Sequence, residues 1–290
     1  MKRNIFLLTG FGFLGLNLIR ILKKKFNIKI FGKKTNFPFK LQLPKNKVDF
    51  INCDYLDIKK LQKYNFKNSN IILTTTSSNK KNFLDQYEIL IKFLKNKNPK
   101  KIILISSVSI YGNKFPKESL LNDYAKSCLK IEKICKKYIK NMIILRVANV
   151  FGILRIKPGL VEKLSLQYLN IRKFKFYKHN TTRSYIPVDE LCFIIKSFLS
   201  AKKMSGTYNV SNSSYFLDIK KTLGFYEIFY KRKIKLLRNK IKPDIIKSKI
   251  KPSKFLLQLK YPKSRSFLSE INKIDKFNKN FLIKKKTYKL

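Results

Sequence analysis

The sequence Thr9-Gly10-Phe11-Gly12-Phe13-Leu14-Gly15 sets the architecture of this chain, because it follows a short apolar run at residues 4–8 and opens a helical pattern. Its first glycine permits a tight turn, its second lets a phosphate approach the backbone, and its third allows close helix packing. The start of the helix adds free N–H groups and a partial positive charge. The pattern favours a dinucleotide-binding loop over an ordinary turn, with the candidate residues Gly10, Phe11, Gly12, Phe13, Leu14 and Gly15.

Short β-prone runs alternate with helical patterns downstream of this loop, which is typical of a parallel sheet built from strand–helix–strand units. The predicted strands are residues 4–8, 28–31, 71–75, 101–106 and 142–147, with a late strand at 207–210. Apolar residues at helical spacing predict two crossover helices, one through Phe83, Tyr87, Leu90 and Leu94 and one through Tyr124, Cys128, Ile131, Cys135 and Tyr138. The fold class is therefore α/β, a doubly wound parallel sheet of the Rossmann type.

The regular alternation stops after about Gly152. We expect an NAD(P)-binding Rossmann domain at residues 1–152 and a smaller, mixed α/β substrate-binding region at residues 153–290. Some segments around 183–212 are expected to return to the first domain.

The charge of the chain is extreme, with 66 basic and 16 acidic residues giving +50, which would ordinarily favour nucleic acid or an anionic membrane. The basic residues are mostly Lys and are spread along the chain beside abundant Ile, Asn and Phe, a mixture typical of AT-rich coding bias. We therefore expect no specific nucleic acid partner and no membrane. The densest basic stretches, 231–240 and 284–286, are where a polyanion site would lie.

The cysteines and the histidine argue against a metal site, because Cys53, Cys128, Cys135 and Cys192 lack paired ligand spacing and His179 is the only histidine. His179, in an apparent loop, is interpreted as incidental. Scattered cysteines fit a reducing cytoplasm. The apolar run at residues 5–19 imitates a signal peptide, but glycines interrupt it and no small-residue cleavage site follows. The sequence predicts a cytoplasmic protein.

Tyr124-Ala125-Lys126-Ser127-Cys128 suggests a proton-transfer site. A tyrosine hydroxyl has a pKa of about 10, so its use near neutrality requires a nearby positive charge. Position 128 lies one turn along the same helix face, whereas Lys126 and Lys130 point away. Cys128 cannot supply that charge, and we interpret it as a small buried residue rather than a redox thiol.

Further motifs follow the glycine loop in order, at residues 53–57, 106–112, 124–128, 146–152, 183–190 and 206–210. With them the chain resembles, nearly end to end, the extended short-chain dehydrogenase/reductase family, which contains NAD-dependent epimerases, dehydratases and reductases of nucleotide sugars. Two departures stand out. The glycine loop is one residue shorter than usual between its first two glycines, and Cys128 occupies the position of the family's lysine.

The resemblance implies roles for individual residues. Tyr124 would move the hydroxyl proton and contact the cofactor, Ser107 would bind the reacting oxygen, and Asp54 would contact the adenine. Asn149 and Arg183 would bind a nucleotide-sugar substrate, although Arg183 could instead pair with Asp189 or Glu190. The resemblance also allows a homodimer.

The cofactor is expected to be NADP or NAD. The second strand ends without an acidic residue for the ribose 2′-hydroxyl, and Lys33 there favours a 2′-phosphate. The leading hypothesis is hydride-transfer chemistry on a nucleotide sugar. Cys128 supports an alternative hypothesis from a different functional class, a catalytically impaired relative that binds dinucleotide as a sensor or structural subunit. A third hypothesis is a basic nucleic-acid-binding protein, which would release its ligand on addition of salt.

Overall fold

The computed structural model describes residues 3–32, 41–42, 47–74, 82–177, 181–201, 204–237, 247–259, 261–262, 266–284 and 286–289. The strands within them are β1 Arg3–Leu8, β2 Phe26–Gly32, β3 Leu41–Gln42, β4 Val48–Asn52, β5 Asn70–Thr74, β6 Lys101–Ser107, β7 Ile143–Val147, β8 Asn149–Phe151, β9 Thr182–Pro187, β10 Gly206–Val210, β11 Phe216–Leu217, β12 Lys247–Ser248 and β13 Tyr288–Lys289. The α-helices are α1 Phe13–Leu22, α2 Ile58–Leu61, α3 Phe83–Asn96, α4 Asp123–Tyr138, α5 Leu160–Tyr168, α6 Val188–Ser200, α7 Ile219–Tyr230, α8 Lys254–Gln258 and α9 Phe267–Asn278. A 3₁₀ turn spans Val108–Tyr111, and a π-helical turn spans Lys279–Ile283.

The largest sheet has seven parallel strands in the order β10-β7-β6-β5-β1-β2-β4. From β1 the chain builds outward through β2 to β4, and it then adds β5, β6, β7 and β10 on the other side. The strand order therefore reverses between β1 and β5. Ligands of such sheets bind in the crevice at the carboxyl ends of the strands at this point. The glycine loop follows β1 and lies there.

Both faces of the sheet are buried, which explains the nearly continuous apolar runs of its strands. Side chains alternate between the two faces, so Ile5 and Leu7 of β1 join a core with α1 and α6, whereas Phe6 and Leu8 join a second core with α3 and α4. Each of these four side chains is at most 2% exposed. Burying one such side chain contributes about 1.5–3 kcal/mol.

A smaller sheet is built around β9. It pairs with β8 in parallel, with Asn149 opposite Tyr185, and also with β11 and β12. Two predicted site residues, Asn149 and Arg183, therefore lie on neighbouring strands. The chain passes from β9 directly into α6, which packs against α1.

The predicted α/β, doubly wound architecture is confirmed, and the predicted strands agree with the structure to within two residues where they are described. Residue 75 lies outside the described part. The late strand joins the main sheet beside β7, and the two predicted crossover helices are α3 and α4. In the main sheet the prediction missed β4, and it did not include the strands of the smaller sheet, β8, β9, β11 and β12. The division into domains at residue 152 stays a prediction.

Among the described residues, no helix is both long enough and apolar enough to cross a membrane.

Candidate functional site

The glycine loop is tightly packed on one side and open on the other. Gly10 has a positive φ of +70°, and a Cβ on Gly15 would lie 2.5 Å from the carbonyl oxygen of Gly10. A Cβ on Gly12, in contrast, would meet no atom within 4 Å. Gly12 also begins α1 without any side-chain cap, so the first N–H groups of the helix are not capped by a side chain there. This open space beside a helix N-terminus fits the pyrophosphate of a dinucleotide.

The ends of β2 and β4 pack closely around this loop. A Cβ on Gly32 would lie 2.6 Å from the backbone nitrogen of Phe11. The ring of Phe11 is buried against that of Phe50, with 4.5 Å between the ring centroids. The side chain of Phe11 therefore belongs to the core, and only its backbone forms part of the turn. Asp54 follows β4, and its carboxylate accepts the Leu56 N–H at 3.1 Å. Lys33 lies outside the described residues.

Phe13 and Leu14 form the first residues of α1 and are partly buried against the core. The guanidinium carbon of Arg155 lies 5.1 Å from the centroid of the Phe13 ring. Asn17, fully buried one turn later, donates hydrogen bonds to the carbonyl oxygens of Phe13 and Ile153. These contacts fix the start of α1 against the segment that follows β8.

A cavity of about 190 Å³ collects four of the predicted site residues. Each comes from a separate motif, and all four lie near the carboxyl end of the main sheet. They are Ser107, Tyr124, Asn149 and Arg183. Among the described residues that line this cavity, Arg183 is the one with a positive charge.

Ser107 ends β6, and its side chain is held by the turn that follows. Its Oγ accepts the Ser109 backbone N–H at 3.2 Å and the Ser109 hydroxyl at 2.9 Å. Because a hydroxyl has one hydrogen and two acceptor sites, Ser107 can still donate its own hydrogen to a ligand. The motif around Ser107 did not reveal Ser109, which also lines the cavity.

Tyr124 lies in the first turn of α4 and is 39% exposed. Asn122 caps this helix by accepting the Ala125 N–H at 2.9 Å, and it lines the cavity as well. The sequence analysis missed Asn122, although an asparagine before a helical pattern is a recognisable cap signal. As predicted, Lys126 points to solvent, where its ammonium pairs with Asp123.

Cys128, one turn beyond Tyr124, is fully buried. It lies on the side of α4 that faces α3. Burial raises the pKa of Tyr87 on α3, and nearby Cys135, Tyr55 and Cys128 add smaller contributions in the same direction. The family's lysine position is thus occupied by a small side chain in the core.

A second cavity, of about 600 Å³, adjoins the first. It shares three lining residues with the first cavity, Asn122, Asn149 and Arg183. The Asn149 amide is fixed by donating to the carbonyl oxygen of Ser184 at 3.1 Å. Asn149 and Arg183 therefore lie at the boundary between the two cavities.

The alternative partners proposed for Arg183 are occupied elsewhere. Asp189 forms ion pairs with Arg20 and Lys273. Glu190 accepts a hydrogen bond from the Asn212 amide at 2.8 Å. Arg183 is exposed at the cavities, which favours its interpretation as a ligand-binding residue.

Glu162 forms part of the wall of the second cavity, and no sequence motif revealed it. Its carboxylate accepts the N–H groups of Gly152 and Gly159, each at 2.8 Å. Burial raises the pKa of Glu162, whereas Arg155 and these backbone groups oppose the shift. The contacts fix the loop between β8 and α5.

A buried polar network lies behind Ser107 and Tyr124. Arg146 of β7 donates to Glu132 of α4, with a shortest distance of 2.8 Å, and to the hydroxyl of Tyr111 at 3.0 Å. Ser106 donates to Glu132 at 2.6 Å, and the Tyr111 hydroxyl donates to Asn209 of β10 at 2.7 Å. Burial alone would lower the pKa of Arg146. The hydrogen bonds that it donates to Glu132, together with the negative charge of Glu132, outweigh this effect and raise the pKa of Arg146. The network ties α4 to three strands of the sheet.

The strand reversal, the open glycine loop and the adjoining cavities define a dinucleotide-binding protein of the Rossmann type. The model of the NAD dependent epimerase/dehydratase family matches residues 6–211, and the chain belongs to this family. The predicted family is confirmed, and so is the predicted class of cofactor, NAD or NADP.

Solved structures of similar fold include UDP-N-acetylglucosamine 4-epimerase from Methanobrevibacter ruminantium, with 19% identity, a TM-score of 0.78, and 95% of this chain and 97% of that chain covered. UDP-glucose 4-epimerase from Bifidobacterium longum, solved with NAD+ and UDP, has 17% identity, a TM-score of 0.77 and coverage of 96% and 98%. dTDP-glucose 4,6-dehydratase from Bacillus anthracis, solved with NAD, has 15% identity, a TM-score of 0.75 and coverage of 96% and 97%. No curated protein matches the chain by sequence.

Proposed function

We propose that this protein is an NAD(P)-dependent epimerase, dehydratase or reductase of a nucleotide-activated sugar. The observation that carries the proposal is the convergence of Ser107, Tyr124, Asn149 and Arg183 on one cavity. Residues so far apart in sequence meet at the strand ends where Rossmann folds bind ligands. The larger adjoining cavity supplies room for the nucleotide part of such a substrate.

The chain's own groups have distinct tasks in this proposal. The nicotinamide, when bound, supplies hydride chemistry at the sugar carbon. As a phenolate, Tyr124 accepts the proton of the reacting hydroxyl when the sugar is oxidised and returns it when the sugar is reduced, and the Ser107 hydroxyl donates a hydrogen bond to the same oxygen. Arg183 is positioned to pair with a phosphate of the nucleotide, for which a guanidinium fork is suited.

The test is to incubate the purified protein and dinucleotide with a panel of UDP-, dTDP-, GDP- and CDP-sugars. Product formation is followed by chromatography, and reduction of the nicotinamide is followed by absorbance. Conversion of one sugar is the expected result. Dinucleotide binding without conversion of any sugar would favour the sensor or structural subunit instead.

NADP is expected to bind about tenfold more tightly than NAD, because one charge-assisted hydrogen bond from Lys33 to the 2′-phosphate is worth about that factor. Titration of both dinucleotides measures the ratio. Lys33→Ala should remove the difference without affecting NAD binding. Tighter binding of NAD by the unaltered protein would show that the prediction is wrong.

Cys128→Lys is expected to raise turnover near neutral pH by about tenfold. An ammonium one helical turn from Tyr124 favours the phenolate, and a shift of one pKa unit corresponds to about 1.4 kcal/mol. The limb of the pH–rate profile that reports Tyr124 should therefore move to lower pH by about one unit. Steady-state rates across pH measure both effects.

Cys128→Met is the control, because it adds a side chain of comparable length without the charge. It should not shift the profile. Lower activity in folded Cys128→Lys would mean that a different cation already serves Tyr124. If no variant of Cys128 or Tyr124 changes a rate, the protein is a dinucleotide-binding relative rather than an enzyme.

A further inference from the structure

The fold brings together two basic segments that are far apart in sequence. Residues 171–177, Ile-Arg-Lys-Phe-Lys-Phe-Tyr, lie beside residues 231–237, Lys-Arg-Lys-Ile-Lys-Leu-Leu. Tyr177 and Leu237 form a parallel bridge, and the Leu237 N–H donates to the carbonyl oxygen of Phe176 at 2.8 Å. The Arg232 guanidinium donates to the carbonyl oxygen of Tyr168 at 2.9 Å. We call these two segments, with Ile228 and Phe229 at the adjoining end of α7, the basic corner.

Positive charge is concentrated in the basic corner. Half of the fourteen residues in its two segments are basic and none is acidic, whereas 66 of the 290 residues of the chain are basic. All of these basic residues are exposed: Arg172, Lys173, Lys175, Lys231, Arg232, Lys233 and Lys235. Among the described residues, their side chains form no salt bridge with a carboxylate. The clustering exceeds what a uniform Lys bias produces.

Large apolar side chains are exposed in the two segments and at the end of α7 that leads into residue 231. Ile228 is 70% exposed, Tyr177 41%, Phe229 40% and Leu237 37%. These are four of the nine most exposed large apolar side chains in the described part of the chain. An apolar group bordered by basic residues marks an interaction surface rather than a solvated face.

We infer that the basic corner docks on the surface of an anionic lipid bilayer. Anionic headgroups attract Lys and Arg within a Debye length, and apolar side chains gain free energy at the headgroup–acyl boundary. A nucleic acid offers stacking to Tyr177 and Phe229 but no comparable environment for aliphatic side chains. Leu237, which is exposed next to Lys235 and bridges to Tyr177, is such an aliphatic side chain and therefore favours the bilayer. The sequence analysis expected no membrane because the basic residues are spread along the whole chain, whereas the fold places these two segments side by side.

Cosedimentation with vesicles tests this inference. The full chain should bind vesicles of phosphatidylcholine with about one-third phosphatidylglycerol, and should not bind vesicles of phosphatidylcholine alone. Each basic residue near such a surface contributes about fivefold to partitioning. The triple variant Lys231→Glu, Lys233→Glu, Lys235→Glu should therefore lower the partition coefficient by about 100-fold or more.

The control is the triple variant Lys59→Glu, Lys63→Glu, Lys67→Glu, which changes the net charge equally at exposed lysines on another part of the surface. It should retain vesicle binding to within about threefold. Leu237→Asn, which leaves the charge unchanged, should weaken binding by about tenfold if the side chain enters the boundary. All three variants should keep the dinucleotide affinity of the unaltered protein, so the outcome is independent of the proposed function.

Equal losses in the two triple variants would overturn the inference, because binding would then follow the background charge. Unchanged binding by Leu237→Asn would overturn it as well. If a single-stranded RNA oligonucleotide binds the basic corner with higher affinity than the vesicles and displaces them, the surface is a nucleic acid site instead.

Discussion

Replacement of Tyr124 by phenylalanine is expected to reduce turnover of the nucleotide sugar by at least about 100-fold, the usual lower bound for loss of a positioned acid–base group. The substitution removes only the hydroxyl group of a residue that is 39% exposed and lines the smaller cavity. The dinucleotide affinity should stay within about threefold, because the glycine loop is unchanged. Single-turnover rates and a separate dinucleotide titration measure the two quantities.

Tyr138→Phe is the matched control for this change. Tyr138 ends the same helix, and its hydroxyl donates to Glu88 of α3 rather than facing the cavity. Its loss should leave turnover within about twofold of the unaltered protein. A Tyr124→Phe variant with normal turnover would show that Tyr124 is only a helix residue beside the site.

Gly12→Val is expected to weaken dinucleotide binding by about 100-fold or more while the chain remains folded. A valine side chain would extend into the open space beside the start of α1, where the pyrophosphate is expected. The loss of two charge-assisted hydrogen bonds to the phosphates, at about 1.5–3 kcal/mol each, accounts for this factor. Calorimetric titration gives the affinity, and circular dichroism on heating gives the Tm.

Gly15→Ala provides the contrast within the same loop. Its Cβ would lie 2.5 Å from the carbonyl oxygen of Gly10, so it should lower the free energy of unfolding by about 1–3 kcal/mol. Gly224→Ala on α7, where a Cβ meets no atom within 4 Å, should lower neither the free energy of unfolding nor the dinucleotide affinity. If the folded Gly12→Val variant binds the dinucleotide with normal affinity, the loop is only a structural turn and does not bind the pyrophosphate.

The sheet was largely predictable because local patterns encode it. Strands buried on both faces are continuous apolar runs, and β1, β5, β6 and β7 follow this rule. β4 was missed because it is an edge strand whose sequence, Val-Asp-Phe-Ile-Asn, has only one buried residue, Val48. Its assignment depends on pairing with β2, which the chain's local sequence does not show.

Site residues that belong to a sequence motif could be predicted. Residues whose role depends on contacts between distant segments could not. The motifs located Ser107, Tyr124, Asn149 and Arg183, and the fold places them on one cavity, while their roles stay predictions. Glu162 has no local signature, because its importance comes from the N–H groups of Gly152 and Gly159. Residues 231–240 were recognised as a dense basic stretch, but the sequence did not show that residues 171–177 lie beside residues 231–237, since about sixty residues separate the two segments.

The network around Arg146 links the site to the order in which the chain is synthesised. The bond from the Tyr111 hydroxyl to Asn209 joins the first half of the chain to β10, the last strand of the main sheet to emerge. A nascent chain that ends after β7 already contains Ser107, Tyr124 and Arg146, but it lacks the acceptor for Tyr111 and leaves the edge of β7 uncovered. The part of the chain that carries Ser107 and Tyr124 therefore reaches its final packing only after residue 210 has been added.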